Sequence, residues 1–569
     1  MTDLNTLKKL FLELYPNEGI DKIDQFLSEI ETIKGQFSSV STDTEWYKDA
    51  VVYSLYVDLF NRDFQGLIEK LPYLADLGVT CLWLLPILDS PMRDAGFDIR
   101  NYDRIRRELF GLPQSADIEE ERALFRKFLS KAHSHGIKVI FDIAMNHTSN
   151  TNPWFLEAKK GPGNPYYNYF IWNKDTNKYT ETRLLFKGMC PSNWEPCGDE
   201  YYFHRFFEFQ PDLNYRNPEV LLSMGRILLF WLSQGVDGFR ADAIPYIWKT
   251  EGTDCENLPE AHTIIRFWRA MLDTVKPGTL LLAEACQPPN EVVKYFGDAN
   301  ECHAGYHFPL MPQLFIAIGK GDAQPIKDVL SHAITPEIPS ACQWFTFLRC
   351  HDELTLEMVT PEERVVMNTL YRHDDRWNFR EGEGIAARLS NLMKFDERKV
   401  LLAFSIMLSL PGTPVLYYGD EFGKQNDESY FDKISSETGY SDTRYFVRGP
   451  VDWELTNKRL ADSFSFEAKV FNGLKKMLSI RKKWMAFGRG SLEFIDLKSS
   501  SGGEANGVLA FIRRYNNERL LVIHNLKDKP VEVDLSAYLS SDPTYLIHSN
   551  SGNYSNYKLE PFMYNWLAI

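Results

Sequence analysis

From Trp46 onward, short apolar runs alternate with longer amphipathic stretches. Runs of strand length that are apolar throughout and end in turn residues read as strands buried on both faces. They fall at Val51–Val57, Val79–Leu85, Ile137–Ile143, Val236–Ala241, Thr279–Ala283, near Cys302–Tyr306, at Gln343–Arg349 and at Pro414–Tyr418. Between them, apolar residues at helical spacing predict helices over Gly66–Leu77, Ile118–His135 (with Ser115 or Asp117 available as its cap), Pro218–Ser233, Pro259–Val275, Glu397–Ser409 and about Phe464–Lys483. This alternation predicts an α/β protein built on a closed (β/α)8 TIM barrel.

Three stretches break the rhythm. Residues 1–46 look like an appended helical extension that ends in the linker Ser38-Ser39-Val40-Ser41-Thr42. After the third strand, residues 148–208 hold few periodic segments, many aromatics such as Trp154, Tyr166, Trp172 and Trp194, and turn residues such as Gly161-Pro162-Gly163. An excursion of that length is usually functional, here a lid, although a small aromatic core of its own is the competing reading. From about Leu492, alternating strands at Val508–Arg513, Leu520–His524 and Val531–Val533 predict a small antiparallel β-domain. The expected division is 1–46 extension, 47–147 and 209–485 barrel, 148–208 insertion and 486–569 C-terminal β-domain.

Composition narrows the function. A chain with 44% hydrophobic and 25% charged residues is that of an ordinary globular protein. The formal charge of −15 argues against nucleic acid and anionic membranes, so the substrate should be neutral, cationic or held without a basic patch. Aromatics at 14% suit stacking on sugar rings, though most serve as core. Eight cysteines lack metal-site spacing and read as reduced thiols in the cytoplasm; Cys190 and Cys197 are near enough in sequence to pair, but nothing requires it. The helix of residues 1–18 is amphipathic and unlike a signal peptide, and the apolar run Val400–Tyr418 is cut by Pro411-Gly412.

Barrel active sites lie at the C-terminal ends of strands. Here those ends carry Asn146-His147, Arg240-Ala241-Asp242, Glu284 and His351-Asp352. Arg240 and Asp242 share a face of an extended strand, so the guanidinium should keep the carboxylate charged. Glu284 follows Leu280-Leu281-Leu282-Ala283, and partial burial should raise its pKa. A charged carboxylate beside a protonated one is what retaining glycoside cleavage needs. Asp352 would stabilise the developing positive charge, and His147 and His351 would donate to hydroxyls.

These regions, Asp142-Ile143-Ala144-Met145-Asn146-His147, Gly238-Phe239-Arg240-Ala241-Asp242-Ala243, Ala283-Glu284-Ala285 and Cys350-His351-Asp352, resemble the α-amylase superfamily of retaining α-glycoside enzymes. More particular stretches resemble its members that isomerise maltose to trehalose: Tyr202 to Phe207, Gln210 to Tyr215, Cys255 to Glu260, His307 to Pro312 and Phe347 to Val359. The resemblance runs from about Trp46 to Phe422. It implies Asp242 as nucleophile, Glu284 as acid and base, and Asp352 as the third catalytic carboxylate. The departing glucose would turn in a closed pocket and attack the glucosyl-enzyme. An α-glucosidase or transglucosidase acting on maltose, sucrose or short α-glucans shares all these residues and is the alternative; a catalytically dead sugar-binding relative is the third reading.

The resemblance also implies Asp98 and Phe97 as grips on the terminal glucose, with Phe97 standing where tyrosine is usual, and Arg448 as partner of Asp98. Cys350 stands where the family has asparagine. No cofactor is required. A family calcium site would map to Asn146, Asp212 and the carbonyls of Tyr246 and Ile247, but a further acidic ligand appears here as Lys249. Either the Lys249 ammonium takes the cation's place, bonded to Asp212 and the carbonyls, or calcium persists with one ligand fewer. The expected partner is a small neutral disaccharide, with no nucleic acid and no membrane; a homo-oligomer stays open.

Overall fold

The computed structural model describes residues 4–37, 43–186, 190–499, 503, 505–539, 543–548 and 554–569. The Ser38–Thr42 linker lies outside them, as do residues 187–189 of the insertion. Among the described residues eight parallel strands close a barrel: β1 (Val52–Leu55), β2 (Cys81–Leu84), β3 (Lys138–Ala144), β4 (Gly238–Asp242), β5 (Leu280–Ala283), β6 (Ala304–Tyr306), β7 (Gln343–Phe347) and β8 (Thr413–Tyr417). β1 pairs with β8 to complete the ring. Nearly every strand residue is buried, because the lumen is packed on one face and helices cover the other.

The helices Phe64–Leu77, Ile118–Ser134, Pro218–Gln234, Pro259–Val275, Glu397–Ser409 and Phe466–Arg481 occupy the expected stretches. Asp117 caps the second of them in a full capping box with Glu120. Helix Leu310–Lys320 falls in a stretch where no period is legible. Its sequence is apolar almost throughout, because nearly all of it is buried, so no polar face marks the turns.

Register in the barrel sets the later chemistry. Asp142 pairs with Arg240 and Ala144 with Asp242 across β3 and β4; Leu282 pairs with Arg240 and Ala283 with Ala241 across β4 and β5. Glu284 is therefore level with Asp242 on the adjacent strand. Gly238 permits this close approach: a Cβ there would lie 2.4 Å from the Leu280 carbonyl oxygen.

The N-terminal helices Leu4–Leu14 and Ile20–Lys34 bury Leu7, Leu10, Phe11, Ile23, Phe26 and Ile30, one face each, in the same hydrophobic core as the barrel. Phe26 stacks on Phe267, and Tyr15 Oη donates to the Tyr215 carbonyl at 2.7 Å. In the insertion, Trp172–Asn173, Glu200–Phe203 and Trp194–Cys197 form a small antiparallel sheet. The C-terminal antiparallel sheet joins Ser491–Phe494, Val508–Tyr515, Glu518–Asn525, Tyr564–Ala568 and Thr544–Ile547 in that spatial order. It docks through apolar and polar contacts: Leu509, Phe511, Val522 and Trp566 join the barrel's hydrophobic core, Trp566 Nε1 donates to Ser405 Oγ at 2.9 Å, and Arg513 Nη1 to the Ser409 carbonyl at 2.5 Å. No helix among the described residues is long and apolar enough to cross a membrane. All eight cysteines are free thiols.

Candidate active site

A cavity opens at the C-terminal ends of the strands, and Asp242, Glu284 and Asp352 all line it. Register sets Glu284 level with Asp242 on the neighbouring strand, and both side chains line this one cavity.

The two differ in their partners. Arg240 Nη1 lies 2.6 Å from both Asp142 Oδ1 and Asp242 Oδ1, and Trp83 Nε1 fixes the other oxygen of Asp142 at 2.8 Å. Arg240 itself sits among the rings of Trp83, Phe97 and Tyr306. Glu284 has no ion pair among the described residues; its Oε2 accepts the backbone N–H of Ala243 at 3.0 Å. Ala243 is in the left-handed region (φ 57°), a strained turn directly after Asp242.

Glu284 is partly buried, as expected, and Asp242 is the more deeply buried of the two at 8% exposure. Burial pushes the Asp242 carboxyl well above the usual carboxylate range; Arg240 opposes the rise and the Glu284 charge adds to it, so the guanidinium alone does not hold the group low as the sequence suggested. A cation is bonded to Asp242, and none among the described residues is bonded to Glu284. The two carboxyls differ in their partners as well as in depth.

Asp352 accepts from Arg448 Nη2 at 2.9 Å and Arg444 Nη1 at 3.3 Å, and His351 Nε2 is 3.1 Å from its Oδ2. Despite burial, His351, Arg444 and Arg448 hold Asp352 below the usual carboxylate range. His351 stacks on Phe97, ring centres 5.5 Å apart, and burial lowers its pKa to about 3. Burial lowers His147 to about 4. Both rings are neutral near pH 7 and act as hydrogen-bonding groups rather than cations.

Asp98 and Arg448 are placed differently from the sequence expectation. Asp98 is 0% exposed and does not line the cavity; its carboxylate accepts Ser90 Oγ at 2.8 Å and the Arg93 and Asp94 N–H groups at 3.3 Å. It ties the loop that carries Asp94, and Asp94 is the residue on the cavity wall. Arg448 faces Asp352 and the His351 carbonyl, while Arg444 Nη2 reaches Asp94 Oδ1 at 3.3 Å. Periodicity gave no sign of Asp94 and Arg444 because Asp94 sits on a loop and Arg444 in a 3-10 turn, Thr443–Val447, too short to set a period. Their only sequence signal is charge beside the candidate residues, at three positions before Phe97 and four before Arg448.

The far wall was also missed. It carries Phe186, Arg183, Glu353, Glu357 and Arg380, with Arg380 bonded to Glu357 at 2.5 Å and Arg183 to Glu256 at 2.8 Å. Burial and Asp352 push the Glu353 carboxyl up to about 7. Cys350 lines the cavity, and burial pushes its thiol up to about 12.

The implied calcium site fails a test of fit. The Lys249 ammonium lies 2.7 Å from Asn146 Oδ1 and 2.7 Å from Asp212 Oδ2 at 3% exposure. It stands between the two side chains that would ligate the ion, and a dication there would meet like charge at contact distance. Its partners are these side chains and not the carbonyls of Tyr246 and Ile247 anticipated from sequence.

A closed eight-stranded barrel with carboxylates gathered at its mouth defines an enzyme of the glycoside-cleaving kind. Residues 37–488 match the family model described as "Alpha amylase, catalytic domain", and residues 508–560 match "Alpha-amylase SusG C-terminal domain". The chain belongs to the α-amylase family. It is 38% identical over 558 residues to "Trehalose synthase/amylase TreS" of Mycobacterium tuberculosis, covering 90% of this chain and 87% of that protein. It is likewise 38% identical over 544 residues to a "Trehalose synthase" of Pimelobacter sp., covering 89% and 91%. Among solved structures, a trehalulose synthase mutant in complex with Tris superposes with a TM-score of 0.71 at 22% identity, covering 92% of this chain and 99% of that one. Within the family, then, this is a trehalose synthase-like enzyme.

Proposed function

We propose that the enzyme carries out retaining α-glucosyl transfer and isomerises maltose to trehalose. The observation that carries this reading is the pair of level carboxylates in one cavity, with a cation bonded to Asp242 and none to Glu284. In the first step an Asp242 oxygen bonds to the anomeric carbon while the glycosidic bond breaks. Glu284 gives its proton to the departing glucose oxygen. The freed glucose turns, its anomeric hydroxyl returns a proton to Glu284, and that oxygen replaces Asp242 on the first sugar. Atoms and protons balance over the cycle.

In this reading Asp94, Arg444, Asp352, His147 and His351 hold the first glucose, and the wall with Glu353, Glu357 and Arg380 holds the second. Isomerase and hydrolase share the intermediate and differ in whether water reaches it. Rings of the insertion, Phe186 and Phe206 among them, close that side of the cavity. The substrate is then a small neutral disaccharide, in keeping with the net charge, and the free thiols favour a cytoplasmic setting.

Incubation with maltose and analysis of the sugars tests the proposal. The expected result is mainly trehalose, with loss of all turnover in Asp242→Ala. Mainly glucose or longer oligosaccharides would assign the enzyme as a glucosidase or transglucosidase instead. Full activity in Asp242→Ala would end the covalent reading.

A further inference from the structure

A second cavity, about 480 Å³, shares no lining residue with the first and lies between the barrel and the C-terminal domain. Its barrel wall is the end of helix Leu310–Lys320 and the turn before helix Glu397–Ser409; its other wall is the loop after Asn525. Bonds across the boundary fix its shape: Ala323 N–H donates to the Asn506 carbonyl at 3.1 Å, and within the domain Phe562 N–H donates to that of Lys527 at 3.1 Å.

The lining is strongly basic. Lys320, Lys394, Lys399, Lys527 and Lys529 border it, against one carboxylate, Asp528. None of these lysines has an ion pair among the described residues, whereas Lys327 and Lys475 nearby in sequence pair with Asp496 and Asp76. Lys399 lies over the Phe562 ring, 5.0 Å from its centre, but no carboxylate among the described residues pairs with any of the five, and in a chain of net charge −15 such a concentration of positive charge is not a consequence of composition. Like charges around one cavity repel and are relieved by an anion. A second observation concerns the backbone. Lys394 and Phe395 both adopt left-handed conformations (φ 53° and 56°), a strained turn that sets Lys394 at the rim. His373, in the same lining, has its pKa lowered by burial and by Lys394 and Lys399, so the positive field reaches the cavity wall.

We propose that this cavity binds a small, multiply charged anion, a phosphorylated metabolite whose phosphate the lysines neutralise. Lysines act as point charges suited to phosphate, and the cavity, open to solvent where Lys320, Lys394 and Lys529 are exposed, has room for a small molecule. A sugar phosphate and a nucleotide share that chemistry. The site is independent of the catalytic proposal.

Calorimetric titration of the full chain with glucose 1-phosphate, with ATP and with inorganic phosphate tests it. The expected result is saturable binding of at least one phosphate ester, tighter than inorganic phosphate and weakened by salt; which ester binds names the source. In Lys394→Glu/Lys527→Glu the affinity should fall by about tenfold or more, with maltose turnover in the absence of ligand unchanged. Lys394→Gln/Lys527→Gln should give a smaller loss and guards against misfolding of the first variant. Binding of none of the three would overturn the proposal. So would equal binding by the charge-reversed variant, or inorganic phosphate binding as tightly as either ester, which would mark an adventitious ion only.

Discussion

Lys249 carries a side-chain ammonium at 3% exposure and meets Asp212 at 2.7 Å and Asn146 at 2.7 Å. Burial lowers its pKa and Asp212 opposes that. Removing one member of such a pair strands the other charge, which costs about 3–5 kcal/mol. Lys249→Met should therefore lower unfolding free energy by that order in urea titration. The wild type should keep its unfolding midpoint in EDTA, and Lys249→Asp should gain stability on addition of calcium, since a third oxygen ligand then replaces the ammonium. A wild-type midpoint that drops in EDTA would show that metal, and not lysine, holds this locus. The same reasoning applies to Asp242, whose buried carboxylate is bonded to Arg240, while Glu284 has no such cation among the described residues.

At the scale of elements, the insertion and the segment 424–448 meet over the cavity. Helix Glu428–Thr438 has no buried residue, yet it is tethered at both ends. Phe431 stacks on Phe446 with ring centres 4.1 Å apart, and beyond the helix Tyr440 Oη donates to Glu208 Oε1 at 3.2 Å. That bond ties the segment to the insertion. If exclusion of water governs the product, Tyr440→Ala should raise the glucose released per trehalose formed by a factor on the order of 2–5, with total turnover of maltose little changed. An unchanged ratio in product analysis would remove the tether from the account of closure. The helix was not legible beforehand because its sequence is polar and carries no buried face to set a period.

Across the whole molecule, stability should depend on pH through buried acids of the barrel. Glu421 follows β8 and accepts from Tyr53 Oη at 2.7 Å, Tyr73 Oη at 2.9 Å and the Gly419 N–H at 2.8 Å. Burial raises its pKa from 4.5 to about 7. A folded-state value above the unfolded one means that the folded protein holds the proton more tightly. This contribution is complete below about pH 4.5 and is lost as pH rises through about 7, with a size of roughly 3 kcal/mol. Thermal unfolding followed from pH 5 to 8 should show this decline, and Glu421→Gln should flatten it. The same slope in the variant would assign the dependence to other acids, such as Asp142, which burial raises to about 6.

The strands, most helices and the four strand ends with their carboxylates were legible in the chain alone. Apolar runs and helical periods record which faces are buried, and burial is imposed locally on each element. Strand parity was enough to place Arg240 beside Asp242. What lay outside the sequence's reach depends on contacts between distant segments. The choice of Asp94 over Asp98 follows from a loop folding around the Asp98 carboxylate, and Arg444 faces the cavity because its 3-10 turn crosses the rim. The position of Lys249 between two side chains, and the basic cavity between barrel and C-terminal domain, exist only once the chain has closed. Periodicity reports how a residue faces its own element; tertiary packing alone decides what it faces in another.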